Sequence, residues 1–150
     1  MINKLLKTSD DYGLTVLRLV LGIVFFAHGA QKVLGWWGGY GFTGTMGFFT
    51  QTMGIPAPLA FLAIMAEFLG GLGLIVGALS RVAAFGILSV MAVAVLKVHL
   101  PFGLFMNWYG SQKGEGFEYH LLAIAMAAAL VLRGAGPLSI DGLLAKRIGR

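Results

Sequence analysis

Residues 14 to 34, LTVLRLVLGIVFFAHGAQKVL, restrict the fold more than any other stretch of the chain. The run is as long as a bilayer-spanning helix needs to be, about 20 residues at about 1.5 Å each. Yet it carries Arg18, His28, Gln31 and Lys32. A charged side chain near the middle of a span costs at least about 2.5–3.5 kcal/mol, so a helix that keeps such groups must give them partners or a use. At 100° per residue Arg18 and Lys32 lie about 40° apart, and His28 and Lys32, four residues apart, share that side. The first helix is therefore predicted to carry one polar stripe facing other helices and an apolar back facing lipid.

The rest of the chain agrees with a membrane setting. It is 58% hydrophobic and only 11% charged, against about 45–50% and about 25% in soluble domains. Four apolar segments, about 14–34, 57–79, 82–100 and 117–133, use most of the 150 residues as a single domain. The predicted fold class is all-α, a polytopic membrane protein with four transmembrane helices in a bundle. Eleven Lys and Arg against six Asp and Glu are spread over termini and loops rather than gathered in a patch, so nucleic acid is not an expected partner. Cysteine is absent, which removes thiol chemistry, Cys-ligated iron–sulfur clusters and covalent c-type haem.

Ser9 or Asp10 is the expected cap of the first helix. Between the first two spans lies GWWGGYGFTGTMGFFTQTMGIPAP, residues 35–58, without a single charge. Phe42, Met46, Phe49 and Met53 recur there at helical spacing, so a short interfacial helix is predicted after the aromatic anchors Trp36, Trp37 and Tyr40. Two readings stand for it, an aromatic belt loop or a lid over a pocket. In the second span Glu67 sits near the middle beside Gly70, Gly73 and Gly77, small residues that let helix backbones approach. Glu67 is open to two roles: a proton relay, or half of a buried ion pair with Arg18, His28 or Lys32. Lys97 and His99 close the third span, and Glu118, Tyr119 and His120 open the fourth. Glu118 and His120 lie about 160° apart on a regular helix, so they cannot share one partner. Ser139 is the expected cap of a short tail helix, with Asp141 in its first turn and Lys146, Arg147 and Arg150 at its end.

Four spans put both termini on one side, with Lys4, Lys7, Arg81, Arg133, Lys146, Arg147 and Arg150. Lys32, Lys97 and Lys113 fall on the other, Arg18 being taken as buried. The bias predicts cytoplasmic termini. His28, Gln31, Lys32, Glu67, His99, Glu118 and His120 then converge on the outer half of the bundle, while Arg18 stays in the inner half. Polar groups gathered at one depth fit a small-molecule site and equally a structural network.

These residues are similar to a known pattern. Arg18 with Gly22, Phe26-Ala27-His28-Gly29 and Lys32, then Glu67 with Gly70-Gly71 and Gly77-Ala78-Leu79, resemble the first two helices of the DoxX family of small bacterial membrane proteins. Val98-His99, Gly116-Phe117-Glu118-Tyr119 and Gly134-Ala135-Gly136-Pro137-Leu138-Ser139-Ile140-Asp141 resemble its later helices and tail. The resemblance covers nearly the whole chain and implies a bacterial inner-membrane protein with a quinone connection, some members being described as small subunits of quinone-linked oxidoreductases.

Under that reading the expected catalytic residues are Glu67 as proton carrier, Lys32 as stabiliser of developing negative charge and His28 as donor to a carbonyl. Arg18, Gln31, His99, Glu118 and His120 are the expected binding residues. Electrons must come from a redox partner subunit or soluble donor. The alternatives are a non-catalytic scaffold that binds a partner or a second copy through its glycine faces, and a transporter or binder of a small apolar or anionic compound. Haem held by two of His28, His99 and His120 is disfavoured by the lack of an HxxH or HxxxH pair, and no metal site is expected.

Overall fold

A computed structural model describes residues 5–148; Lys4 and Arg150, counted above for orientation, lie outside that range. Helix α1 (Tyr12–Leu34) starts where Asp11 turns extended and accepts a 2.8 Å hydrogen bond from Gly13 N. Asp11 is therefore the cap, rather than Ser9 or Asp10. The helix stops at Gly35, whose φ of 71° suits a residue without Cβ. Helix α2 (Gly41–Gly47) follows and widens into a π turn over Phe48–Thr52. Thr45 is the buried residue of α2, while Met46, Phe49 and Met53 are half-buried and Phe42 is exposed.

Helix α3 (Ala57–Val76) ends earlier than the hydropathy suggested, because Gly77 and Leu79 both adopt left-handed backbone. Helix α4 (Ser80–Ala94) continues through a π turn at Val95–His99 and a tighter turn at Leu100–Phe102. Helix α5 spans Glu118–Arg133 and α6 spans Ile140–Ile148. Three segments, Tyr12–Leu34, Ala57–Val76 and Ser80–Phe102, are long and apolar enough to cross a membrane. At 16 residues, α5 is shorter, about 24 Å.

The four longer helices close into a ring. α1 packs most extensively on α3, α3 on α4, α4 on α5, and α5 returns to α1. Inside lie Leu14, Leu21 and Phe25, Leu74, Ala84, Ile87 and Met91, and Ala123, Ala127 and Leu130. The outward faces are apolar as well: Val16, Val20 and Ile23 on α1, Leu62 and Leu69 on α3, Phe85 and Val93 on α4, and Leu122 and Leu132 on α5 are all exposed. A bundle apolar inside and out is suited to lipid, where backbone groups must be satisfied within helices.

In lipid, close packing has to replace the hydrophobic effect as the force between helices. The α1–α3 seam shows how. A Cβ on Gly22 would lie 2.9 Å from Ile75 N, and Cβ atoms on Gly29 and Gly71 would collide with the backbones of Phe68 and Phe26. Gly70 faces Ala83 of α4, and Gly77 is covered by Ser139. These two glycines, expected to offer a face to a partner or a second copy, are buried within the chain itself.

At one end of the ring, here the tail end, two arginines satisfy helix C-termini. Arg18, 1% exposed, bonds the carbonyls of Leu74, Ile75 (2.7 Å), Ala135 (3.0 Å) and Leu138 (2.7 Å). Arg81 does the same for Val131 and Leu132 and ties in Lys7. The last carbonyls of a helix lack internal partners and carry its negative dipole end, so a guanidinium is well matched to them. Ser139 caps α6, its Oγ accepting from Gly142 N at 3.1 Å. Asp141, buried, accepts from Leu79 N and Ser80 N, both at 2.8 Å, and so caps α4 across the tight turn.

Candidate functional site

The opposite end, the loop end, gathers the other buried ionisable groups. On α1 the residues Arg18, Gly22, Phe25, Gly29 and Lys32 step by four and three along one seam. The seam faces α3, and at its top Lys32 Nζ meets Glu67 Oε2 at 2.5 Å. Glu67 is 5% exposed at the side chain and Lys32 24%. Gly29 lets this happen: its contact with the backbone of Glu67 and Phe68 brings the helices close enough for the pair to close. Phe26 and Phe68 stack on the same seam, ring centres 5.5 Å apart.

The start of α5 and the end of α4 supply the second half. The π turn at Val95–His99 re-aims His99, whose ring lies 4.0 Å from that of His120. His99 Nδ1 is 2.8 Å from the Glu115 carbonyl. His120 is 6% exposed, and its Nδ1 has no hydrogen-bond partner. Beside it the Tyr119 hydroxyl is also buried and without a partner. Helix α2 packs against α1 and the start of α3, held by the edge-on contact of Phe42 with Phe61.

The eight expected site residues therefore divide. Lys32 and Glu67 meet, and His99 and His120 meet. His28, one residue before Gly29, falls off the seam and is exposed. Gln31 makes no side-chain hydrogen bond among the described residues; its backbone is covered by Gly39. Glu118 turns into the 103–117 connection, accepting from Met106 N at 2.9 Å and Trp108 Nε1 at 3.0 Å. Arg18 is at the far end, committed to carbonyls. Of the three counter-ions open to Glu67, the one it meets is Lys32.

Tyr119 was not among the expected residues. Its signal was present: Tyr119, Ala123, Ala127 and Leu130 recur at helical spacing on the face that α5 turns inward. The pair Lys32–Glu67 cancels in charge, so the cluster presents a neutral set of donors and acceptors. Two surface hollows lie elsewhere: one of about 340 Å³ beside Lys7, Thr8, Asp10 and Lys146, and one of about 400 Å³ beside Tyr40, Thr43, Gly47 and Gln51 on α2.

Comparison with known sequences places this geometry in a family. A model of the DoxX family matches residues 13–100, which hold both the Lys32–Glu67 pair and His99. The chain belongs to the DoxX family. Among curated relatives, "Putative oxidoreductase CatD" of Bacillus subtilis is 28% identical over 143 residues, covering 94% of this chain and 93% of that protein. "Inner membrane protein YqjF" of Escherichia coli is 28% identical over 142 residues, covering 95% and 99%. Both alignments run past α4, so the relatedness extends to α5 and the tail of this DoxX chain. No solved structure matches it significantly.

Proposed function

We propose that this DoxX protein is an inner-membrane subunit of a quinone-linked oxidoreductase, with the quinone headgroup bound at the loop end beside Lys32 and Glu67. The observation that carries the reading is an ion pair kept at bundle depth, with its carboxylate 5% exposed, where charge is expensive. In this reading α5 is the fourth span. Its length of about 24 Å falls short of a hydrocarbon core of about 30 Å, and the 103–117 connection with Trp108 and Tyr109 fills the missing depth at the interface. Both termini face the cytoplasm, following the positive residues, and α2 lies in the outer interface.

The residues present suit such a ligand. Lys32 Nζ spends one of its three donors on Glu67 and keeps two for an oxygen. Glu67 is placed to take a proton from that region or return it. His99, half-buried and 4.0 Å from the ring of buried His120, is placed to pass protons between the interior and solvent. When bound, a quinone supplies a two-electron, two-proton acceptor; both electrons come from a redox partner subunit, because the chain has no cysteine for a thiol or iron–sulfur relay. The name of the Bacillus relative supports an oxidoreductase and says nothing of its substrate.

A second reading has its own observation. At the tail end Arg18 and Asp141 join segments through bonds to backbone groups, and Lys32–Glu67 joins α1 to α3 by an ion pair in a scaffold subunit. Mass spectrometry of molecules retained in native-lipid discs separates the two. The quinone reading expects a quinone enriched over bulk membrane in the wild type and lost in Lys32→Met. Bulk lipid alone in both samples supports the scaffold.

A further inference from the structure

We infer that the hollow at the tail end binds the phosphate headgroup of an anionic phospholipid, held between Lys7 and Lys146. The inference is independent of the loop-end reading. The hollow has a volume of about 340 Å³. Its walls come from two segments far apart in the chain: Lys7, Thr8 and Asp10 from the lead into α1, and Pro137, Ala145 and Lys146 from the tail. Hydrogen bonds fix both walls. Thr8 Oγ1 accepts from Gly136 N at 2.6 Å, and Ser9 N donates to the Arg133 carbonyl at 3.1 Å. Gly134 lies so close to the lead that a Cβ there would stand 2.6 Å from the Lys7 carbonyl oxygen. The caps made by Ser139 and Asp141 hold the start of α6 against the bundle. The two lysines therefore stand on backbone that is already set, with only their own stems left to move.

The charge of the occupant follows from what surrounds the hollow. Lys32–Glu67 is the one ion pair among the described residues, so Lys7 and Lys146 both keep their charge for a ligand. Asp10 shares the lining and opposes one of them. Arg81 offsets it: its guanidinium donates to the Lys7 carbonyl at 2.9 and 3.2 Å. Asp11 and Asp141, the other carboxylates of this end, are engaged by backbone N–H groups. Two ammonium groups suit an anion with several oxygens to offer, and a phosphate is such an anion. Depth then selects a lipid over a free ion. Helix α1 begins at Tyr12 and α5 ends at Arg133, so the lead and the turn before α6 lie where the spans leave the hydrocarbon, at headgroup level. Leu138 and Leu143, next in the chain to Pro137 and Gly142 of the lining, are exposed, as are Tyr12 and Val16 on α1. Acyl chains of a lipid seated in the hollow have these side chains to lie on.

The test uses the full chain in neutral detergent, titrated with phosphatidylglycerol or phosphatidylcholine, with bound lipid counted by native mass spectrometry and inorganic phosphate added as competitor. Phosphatidylglycerol is expected to bind in preference to phosphatidylcholine, and inorganic phosphate at equal concentration is expected not to displace it. Lys7→Gln and Lys146→Gln should each weaken phosphatidylglycerol binding about fivefold, the worth of one basic side chain at an anionic headgroup. The double variant should weaken it about twenty-five-fold if the two effects add. Asp10→Asn should tighten it. Ala145→Trp keeps every charge and fills the hollow, and should weaken binding as much as the double variant. Arg147→Gln, outside the lining, should weaken it less than Lys146→Gln. Equal losses in Arg147→Gln and Lys146→Gln, with none in Ala145→Trp, are the mark of diffuse attraction to a basic surface and overturn the site. Where Ala145→Trp lowers the lipid-free thermal midpoint, the comparison of Lys7→Gln with Arg147→Gln decides alone. Displacement by inorganic phosphate at equal concentration overturns the choice of a lipid, and equal binding of phosphatidylcholine overturns the inference as a whole.

Discussion

Breaking the Lys32–Glu67 pair from either side should have unequal consequences, and their sum should not add. Removing one partner of a fully buried pair costs about 3–5 kcal/mol, because the survivor is left charged in a low dielectric. Glu67, with 5% of its side chain exposed on a short stem, cannot carry its charge to the interface as a lysine can; Lys32→Met should therefore cost the whole of that, about 3–5 kcal/mol. Lys32 sits in the last turn of α1 with 24% of its side chain exposed, so its four-carbon stem can carry the ammonium toward the interface. Glu67→Leu should accordingly cost less, about 2–3 kcal/mol once that escape is allowed. The double variant Lys32→Met/Glu67→Leu buries no charge, and such replacements are close to neutral; it should lie within about 1 kcal/mol of the wild type. The cycle then gives a coupling of at least about 4 kcal/mol. Reversible unfolding in lipid discs, followed by trapping of the separated helices, measures each corner. Single losses that add to the double loss within about 0.5 kcal/mol would refute the reasoning, since they would mean that the two groups do not depend on each other.

The other expectations concern the frame around the site. A Cβ at Gly29 collides with the Phe68 backbone, so Gly29→Val should separate α1 from α3 and abolish monodisperse protein on gel filtration. Gly47→Ala, at a helical φ of −58° with nothing within 4 Å of the added carbon, should instead raise stability by about 0.5–1 kcal/mol. Asp141→Ala removes the acceptor of two backbone N–H groups and should cost about 2–3 kcal/mol, with faster hydrogen exchange at Leu79 and Ser80. Arg18→Lys loses the planar fork that reaches four carbonyls. It should lower the thermal midpoint while leaving menadione affinity of the folded fraction unchanged.

Much of the frame could be read from the sequence because hydropathy and helical spacing are properties of single segments. Three of the spans, the presence of a helix at Gly41–Gly47 and the Ser139 cap are of this kind. Partners are not, since they depend on which helices close around a side chain. The wheel put Arg18 and Lys32 on one stripe, and both do face inward. It could not say that Arg18 would meet only the carbonyl ends of other segments, from α3 to the turn before α6, while Lys32 met a carboxylate. His28 shared the stripe of Lys32 at four residues, yet the long lysine stem reaches round to α3 where an imidazole does not. Glu118 and His120 were separated correctly by their 160° offset, one going to the loop and the other to the interior. Tyr119, between two ionisable residues, drew no notice because it carries no charge. Asp141 bonds residues sixty positions earlier in the chain, a distance no local pattern encodes. The π turns at Phe48–Thr52 and Val95–His99 leave no mark in composition, although the second one aims His99.

A quinone bound at the loop end is the central expectation. Photolabelling of the protein in native-lipid discs with an azido-quinone, followed by peptide mapping, locates it directly. The expected result is label on the top of α1, the middle of α3 and the first turn of α5, around Lys32, Glu67 and Tyr119, competed away by unlabelled menadione. Label confined to the exposed outer faces, or spread over the tail end near Arg18, and unaffected by competitor, would contradict it.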